Sequence, residues 1–345
     1  MWGESFVCKC RKGKKYVISA SVHWFVTWML ETLAKRGHDG HVRKFGKISA
    51  MDERMQSNLT QDISYASSAS GPFGAALIRI LENSTGRRSL IRRAAGYEVE
   101  VAQGHSFWDV VPKRFGLDLQ VVGGSLAHIP SNGPLILVSN HPYGILDGLM
   151  MGHILDRVRP DFRIVANSVF RRAEALNRVV LPISFEATKE ALRQNLETRS
   201  SALDYLSKGG AIGVFPGGTV STSSKPFSHP MDPAWRNFTA KMIAKSNATV
   251  VPIYFVGHNS RLFQIASRIH STLRLGLLIK EFSARVDEAV QIVIGAPVDC
   301  LDVEQRKGDP TRLMEFLRRV TYDLSPEPHR SYDLGYEFEA RYKSR

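Results

Sequence analysis

Seven short apolar runs punctuate the chain, at 117–122, 135–139, 162–166, 179–183, 211–215, 249–255 and 290–294. Between and after them lie longer stretches whose apolar residues recur every three or four positions, near 145–158, 186–208, 233–245, 261–270 and 309–323. Short apolar runs suit strands, and the periodic stretches suit helices packed by one side. Strand-like runs in alternation with helical patterns predict an α/β domain. Its centre is a largely parallel mixed sheet flanked by helices. No internal repeat and no low-complexity block interrupts this pattern.

Ahead of the first run the pattern changes. Leu77, Ile78, Leu81, Leu90 and Ile91 keep helical spacing, with Arg79, Arg87, Arg88, Arg92 and Arg93 among them. This predicts a helical N-terminal region that either packs on the domain or touches anionic head groups. Earlier still, apolar residues at 18, 22, 25, 26, 29 and 33 also have helical spacing, but His23 and several Ser and Thr interrupt them. No run of 18 apolar residues occurs, so an amphipathic helix lying on a membrane or on the domain fits better than a spanning one. The chain therefore divides into a basic N-terminal extension (1–60), a linker with basic amphipathic helices (61–115), the α/β domain (116–300), and a C-terminal helix and tail (301–345). The tail, polar, aromatic and charged, is expected to wrap the surface.

Composition narrows the partners rather than the fold. Lys and Arg number 46 against 33 Asp and Glu, a net of +13 in 345 residues. Residues 1–60 hold 11 of the cations and 5 of the acids, so nearly half the surplus sits in the first sixth of the chain. Such a surplus favours an anionic partner. There is no zinc-finger spacing, no RNP-like aromatic motif and no evident helix-turn-helix, so nucleic acid is not expected. Cys8, Cys10 and Cys300 form no disulfide framework. Cys8 and Cys10 lack obvious partner ligands, and no metal site is expected.

In an open α/β sheet, functional residues gather where strands end. Two strand ends stand out. The run 135–139 is followed at once by His141, then a Pro142-Tyr143-Gly144 turn, then Asp147 at the start of the next helix. That spacing allows an imidazole–carboxylate pair, with Asp147 fixing the ring tautomer and the free nitrogen acting as base toward a hydroxyl. Taken singly, His141 fits a hydrogen-bonded structural residue and Asp147 fits a helix N-terminal charge. The run 211–215 leads into Pro216-Gly217-Gly218, where the backbone can approach a ligand and exposed amides can meet an oxyanion.

These segments carry a resemblance. Asn140-His141-Pro142 with Asp147, and Phe215-Pro216-Gly217-Gly218-Thr219-Val220-Ser221, resemble the first and third motifs of the glycerolipid acyltransferase superfamily. Arg163 to Ile183 resembles the second motif and Val250-Val251-Pro252-Ile253-Tyr254 the fourth. Asp232-Pro233-Ala234-Trp235, Gly257 to Phe263, and Leu273-Arg274 through Glu281 are similar to segments of its hemolysin-like branch, which includes lyso-ornithine-lipid acyltransferases. The likeness spans roughly 116–300 in order along the chain and marks that span as an acyltransferase domain. Five residues separate His141 from Asp147, where the superfamily usually has four. Gly217 stands where a Glu is usual, and Val220 where an Arg is usual. Those two side chains are associated with a glycerol phosphate acceptor, so another head group, such as an amino-acid lipid, becomes the better expectation.

The resemblance implies acyl transfer from a thioester, acyl-CoA or acyl carrier protein, to the hydroxyl of a lyso-lipid, without a cofactor or a metal. It implies that His141 is the general base and that Asp147 orients it. Gly217, Gly218, Thr219 and Ser221 are the expected oxyanion or acceptor contacts, with cationic help from Arg171, Arg172 and Arg274. A peripheral enzyme on the anionic, cytoplasmic face of the inner membrane is expected, in lipid biosynthesis. A thioester or lipid hydrolase using the same pair is the alternative.

Overall fold

The computed structural model describes residues 64, 66, 71–167, 174–184 and 188–338, all within one unit, Met55–Arg345. The extension over 1–60, the Cys8 and Cys10 pair, and Arg171 and Arg172 lie outside the described residues. In chain order the elements are α1 (Pro72–Ser84), α2 (Arg87–Ala94), α3 (Tyr97–Ala102), α4 (Phe107–Arg114), β1 (Asp118–Gly124), β2 (Leu135–Ser139), α5 (Ile145–Val158), β3 (Phe162–Asn167), α6 (Glu174–Asn177) and β4 (Val180–Ile183). They continue with α7 (Lys189–Ser207), β5 (Ala211–Val214), α8 (Asn237–Ala244), β6 (Thr249–Phe255), α9 (Arg261–Ile269), α10 (Ser271–Ser283), β7 (Ala289–Ile294), α11 (Cys300–Glu304) and α12 (Pro310–Tyr322).

The strands form a seven-stranded sheet in the order β1-β7-β6-β2-β5-β3-β4. The block β6-β2-β5-β3-β4 is parallel throughout. β7 runs antiparallel to β6, and β1 runs parallel to β7. The sheet is thus mixed and largely parallel, as the alternation of runs and helices predicts. β2 lies at its heart and all five of its residues are buried. Side chains alternate across a strand, so Leu135 and Leu137 enter one apolar layer with Trp108, Met150, Ile154 and Phe282. Ile136 and Val138 enter the opposite layer with Leu206, Trp235, Ile243 and Leu317. Helices therefore cover both faces.

The basic stretch at 77–95 forms two helices. The chain breaks at Thr85-Gly86, where Gly86 takes φ 122°. Ile78, Leu81 and Leu90 are buried, so the apolar stripe packs onto the domain. Arg88 and Arg92 remain on the outer face.

Candidate active site

The parallel register of β2 and β5 pairs Val138 with Val214, so both strands end at the same edge. Residues 140–141 and 215–217 are thereby neighbours across 74 residues or more of chain. Asn140 extends the ladder with its side chain. Its Nδ2 donates to the Phe255 carbonyl at 2.9 Å, and its Oδ1 accepts from the Phe255 N–H at 2.7 Å. His141 follows this anchored residue, and its ring stacks on Phe215 with centroids 4.4 Å apart.

Beyond His141 the chain turns sharply into α5. Gly144 has φ 96°, and a Cβ there would lie 3.2 Å from both Leu278 and Val220, so the turn requires a residue without a side chain. Asp147 sits at the third position of α5. Its Oδ2 accepts from the Tyr143 N–H at 2.8 Å and the Gly144 N–H at 2.9 Å, capping the helix. The same oxygen is 2.9 Å from His141 Nδ1. The helix-terminal charge and the imidazole partner are therefore one residue. The ring N–H is not aligned on Oδ2 as a well-directed hydrogen bond would be. The separation is nonetheless that of an ion pair, and it is the separation that sets the electrostatics; such bonds often align only once substrate is bound. Asp147 is fully buried and its Oδ1 finds no partner among the described residues, so burial pushes its carboxyl upward. The His141 ring and the two N–H groups pull it down less strongly.

With Nδ1 turned to Asp147, Nε2 is the ring nitrogen left for chemistry. His141 lines a cavity of about 390 Å³ between the sheet edge and α2, α4, α5 and α10. Its walls are chiefly apolar and include Trp108, Leu149, Ile164, Phe215, Leu278 and Phe282. Met150, Met151 and Ile154, which follow the turn in sequence, are core residues instead.

The other expected site residues divide. Gly218 and Thr219 line the cavity with His141. The Gly218 amide already donates to the Phe215 carbonyl at 3.0 Å. Gly217 sits behind, where a Cβ would meet Asp232 at 3.2 Å. Ser221 turns away from the cavity, its Oγ donating to Asp232 Oδ1 at 2.5 Å. Arg274, buried on α10, also lines the cavity. Its guanidinium donates to Thr222 Oγ1 at 2.7 Å, Thr219 Oγ1 at 2.6 Å and the Val220 carbonyl at 2.8 Å. Because arginine only donates, Thr219 Oγ1 accepts there and its own hydrogen is left to point elsewhere. Phe215 and Asp232 touch this site without having been singled out by residue type or spacing. Asp232 stood out only within the Asp-Pro-Ala-Trp segment of the resemblance.

A histidine and a buried aspartate on one turn, beside a glycine loop and above an apolar cavity, form the arrangement of an enzyme that works on a greasy substrate. Residues 122–256 match the family model described as Acyltransferase. Over that span the chain carries an acyltransferase domain, which supports O-acyltransferase activity, and its likeness is to the glycerolipid acyltransferase superfamily. Among characterised proteins it is similar to the lyso-glycine lipid O-acyltransferase of Phocaeicola vulgatus, at 25% identity over 215 residues, 60% of this chain and 74% of that one. A protein of the same name from Bacteroides thetaiotaomicron is 23% identical over 218 residues, 60% of this chain and 76% of that one. The crystal structure of the 1-acyl-sn-glycerophosphate acyltransferase PlsC from Thermotoga maritima is a distant likeness: TM-score 0.41 and 16% identity, covering 81% of this chain and all of that one.

Proposed function

We propose that this chain moves an acyl group from a thioester, acyl-CoA or acyl carrier protein, to the hydroxyl of a lyso-lipid, with His141 as general base and Asp147 as its orienting partner. The observation that carries this is the His141 ring, with Nδ1 2.9 Å from buried Asp147, at the wall of an apolar cavity of about 390 Å³. In this reading Nε2 takes the proton as the acceptor oxygen attacks the thioester carbon. A C–O bond forms, and the tetrahedral oxyanion lies toward the 217–219 loop and the Thr219 hydroxyl. The C–S bond then breaks, and the imidazolium returns its proton to the leaving thiolate. General base catalysis of this kind contributes on the order of 10²–10⁴ in rate. The acyl chain occupies the cavity.

The acceptor is a lyso form of an amino-acid lipid. Two lines support this: Gly217 and Val220 replace the charged residues associated with glycerol phosphate, and the characterised relatives are named for a lyso-glycine lipid. Arg274 at the cavity wall suits the amino-acid carboxylate, which glycine and ornithine lipids share. The enzyme works peripherally, at the cytoplasmic face of the inner membrane. No described helix is long and apolar enough to cross a bilayer. On α9, Ile265 and Ile269 are exposed and Arg261 lies on the same side, directly before the α10 residues Arg274 and Leu275 at the cavity.

The test supplies purified protein with acyl-CoA or acyl carrier protein and either lyso-glycine or lyso-ornithine lipid. Diacylated lipid should form, and His141→Ala should retain less than about a tenth of the turnover. Thioester loss that is independent of the lyso-lipid would make the protein a hydrolase. A His141→Ala variant with near-normal turnover would remove the base assignment.

A further inference from the structure

We propose that Asp232 is a positioning residue that locks the His141 turn to the glycine loop, and that α12 and the C-terminal tail hold it there. The inference rests on the base role proposed for His141. Asp232 is fully buried between β5's exit loop and α8. Its Oδ1 accepts from the His141 main-chain N–H at 3.2 Å and from the Ser221 hydroxyl at 2.5 Å. Its Oδ2 accepts from the Trp235 indole N–H at 2.8 Å. The Ser221 N–H in turn donates to the His141 carbonyl at 2.8 Å. Three groups thus close a ring: the base's own backbone, the end of the glycine loop, and one carboxylate oxygen. The ring fixes the distance between the imidazole and the loop that faces a developing oxyanion. Gly217 is part of the fit, since its missing Cβ leaves room for Asp232 to pack against the loop.

The backbone of Asp232 is held from the far side. Its N–H donates to the Tyr322 hydroxyl at 2.7 Å. Its carbonyl accepts from the Gly335 N–H at 2.9 Å and from Arg318 at 3.2 Å. Arg318 and Tyr322 belong to α12, and both are buried. A Cβ on Gly335 would lie 1.8 Å from the Met231 carbonyl, so the tail enters the protein here and does not merely cover it. Arg236 and Glu337 pair through two contacts of 2.8 and 3.0 Å, tying the tail to the residue just before α8. α12 and the tail thereby reach the base through one side chain.

A positioning role separates from a structural one by comparing the arms of the carboxylate. Ser221→Ala removes the arm inside the ring, and Trp235→Phe removes the arm outside it. Asp232→Asn strands the His141 N–H and breaks the ring where its nitrogen takes the Oδ1 place, and strands only the outer Trp235 N–H where its nitrogen takes the Oδ2 place. A misplacement of about 1 Å costs about 10²-fold in rate. Turnover with acyl-thioester and lyso-lipid should fall about tenfold in kcat for Ser221→Ala and by at most about 10²-fold for Asp232→Asn, with KM for the lyso-lipid within about threefold of wild type. Trp235→Phe should keep kcat within about threefold, even if its melting temperature falls as far as that of Ser221→Ala. If kcat tracks melting temperature across the three variants, or if Ser221→Ala raises KM and leaves kcat intact, the positioning role is wrong. If Asp232→Asn fails to fold, the Ser221→Ala and Trp235→Phe comparison still decides. Near-normal kcat in Ser221→Ala alongside an inactive His141→Ala sinks this inference alone. An active His141→Ala sinks the reading beneath it.

Discussion

Asp147→Asn isolates the charge on the carboxylate, because this site keeps the rest. All three groups near Asp147 approach one oxygen: Tyr143 N–H, Gly144 N–H and His141 Nδ1, at 2.8, 2.9 and 2.9 Å. An asparagine that places its carbonyl there keeps both helix-capping bonds and still accepts from Nδ1–H. The tautomer is preserved and only the anion is lost. A unit charge 2.9 Å away is worth about 6 kcal/mol at an effective dielectric of about 20. With the proton about half transferred in the transition state, roughly half of that is felt, about 3 kcal/mol or on the order of 10² in rate. Asp147→Ala also loses the orientation and the cap and should fall further, nearer 10⁴; in the serine-protease triad Asp→Asn alone costs about that much, because there the amide imposes the wrong tautomer. Steady-state assay of both variants across pH is the measurement. The Asn variant should lose about 10² in kcat with little change in KM. Stability supplies a second readout. Burial raises the Asp147 carboxyl above its ordinary 3.8, so the folded state binds the proton more tightly than the unfolded state. Wild-type stability is then intact below that value and declines as pH rises above it. Asp147→Asn lacks this decline, so the stability difference between variant and wild type should shift in the variant's favour as pH rises from about 4. Equal kcat in Asn and wild type, or in Asn and Ala, would refute the reasoning.

Gly148 lines the cavity, and a Cβ there meets nothing within 4 Å. Gly148→Leu should fill that space and shift donor preference toward shorter acyl chains, each excluded methylene costing about 0.8 kcal/mol, roughly fourfold. An unchanged chain-length profile would place the acyl group elsewhere. Binding to anionic vesicles should weaken as salt rises, since exposed cations are screened. Retention that only detergent breaks would indicate insertion rather than surface contact.

The centre of the sheet was legible from the chain because β2, β5 and β6 are buried on both faces, while β1 at the edge is largely exposed. Each of the seven apolar runs contains its strand to within two residues at either end. Direction was less legible: β7 turns antiparallel to β6, yet its apolar text reads like that of a parallel strand. His141 and Asp147 meet within one turn, so spacing alone brings them to mind. Asp232 meets His141 across 91 residues and Tyr322 across 90, and no local period records such a contact. The tail reads as polar surface, because the burial of Gly335 depends on a gap between segments more than 100 residues apart in sequence. The split of 77–95 into two helices was written in Gly86, but the arginine-rich periodicity continues across it.

Two buried aspartates flank His141, and their hydrogen bonding differs in a way that separates their work. Asp232 has donors on both oxygens, and its charge is fully met by hydrogen bonds to groups that keep their protons. Such a carboxylate holds geometry. Asp147 has one crowded oxygen and one buried oxygen without a partner among the described residues. Its anion is under-solvated, which is why its carboxyl is raised. An under-solvated anion gains most when a cation forms beside it, and among the described residues the group within ion-pair distance is the His141 ring. In the proposed mechanism, the burial that weakens the fold at Asp147 therefore favours the imidazolium at the step where His141 takes a proton. Moving the crowded contacts onto both oxygens of Asp147 would relieve the strain in the resting protein and remove that advantage.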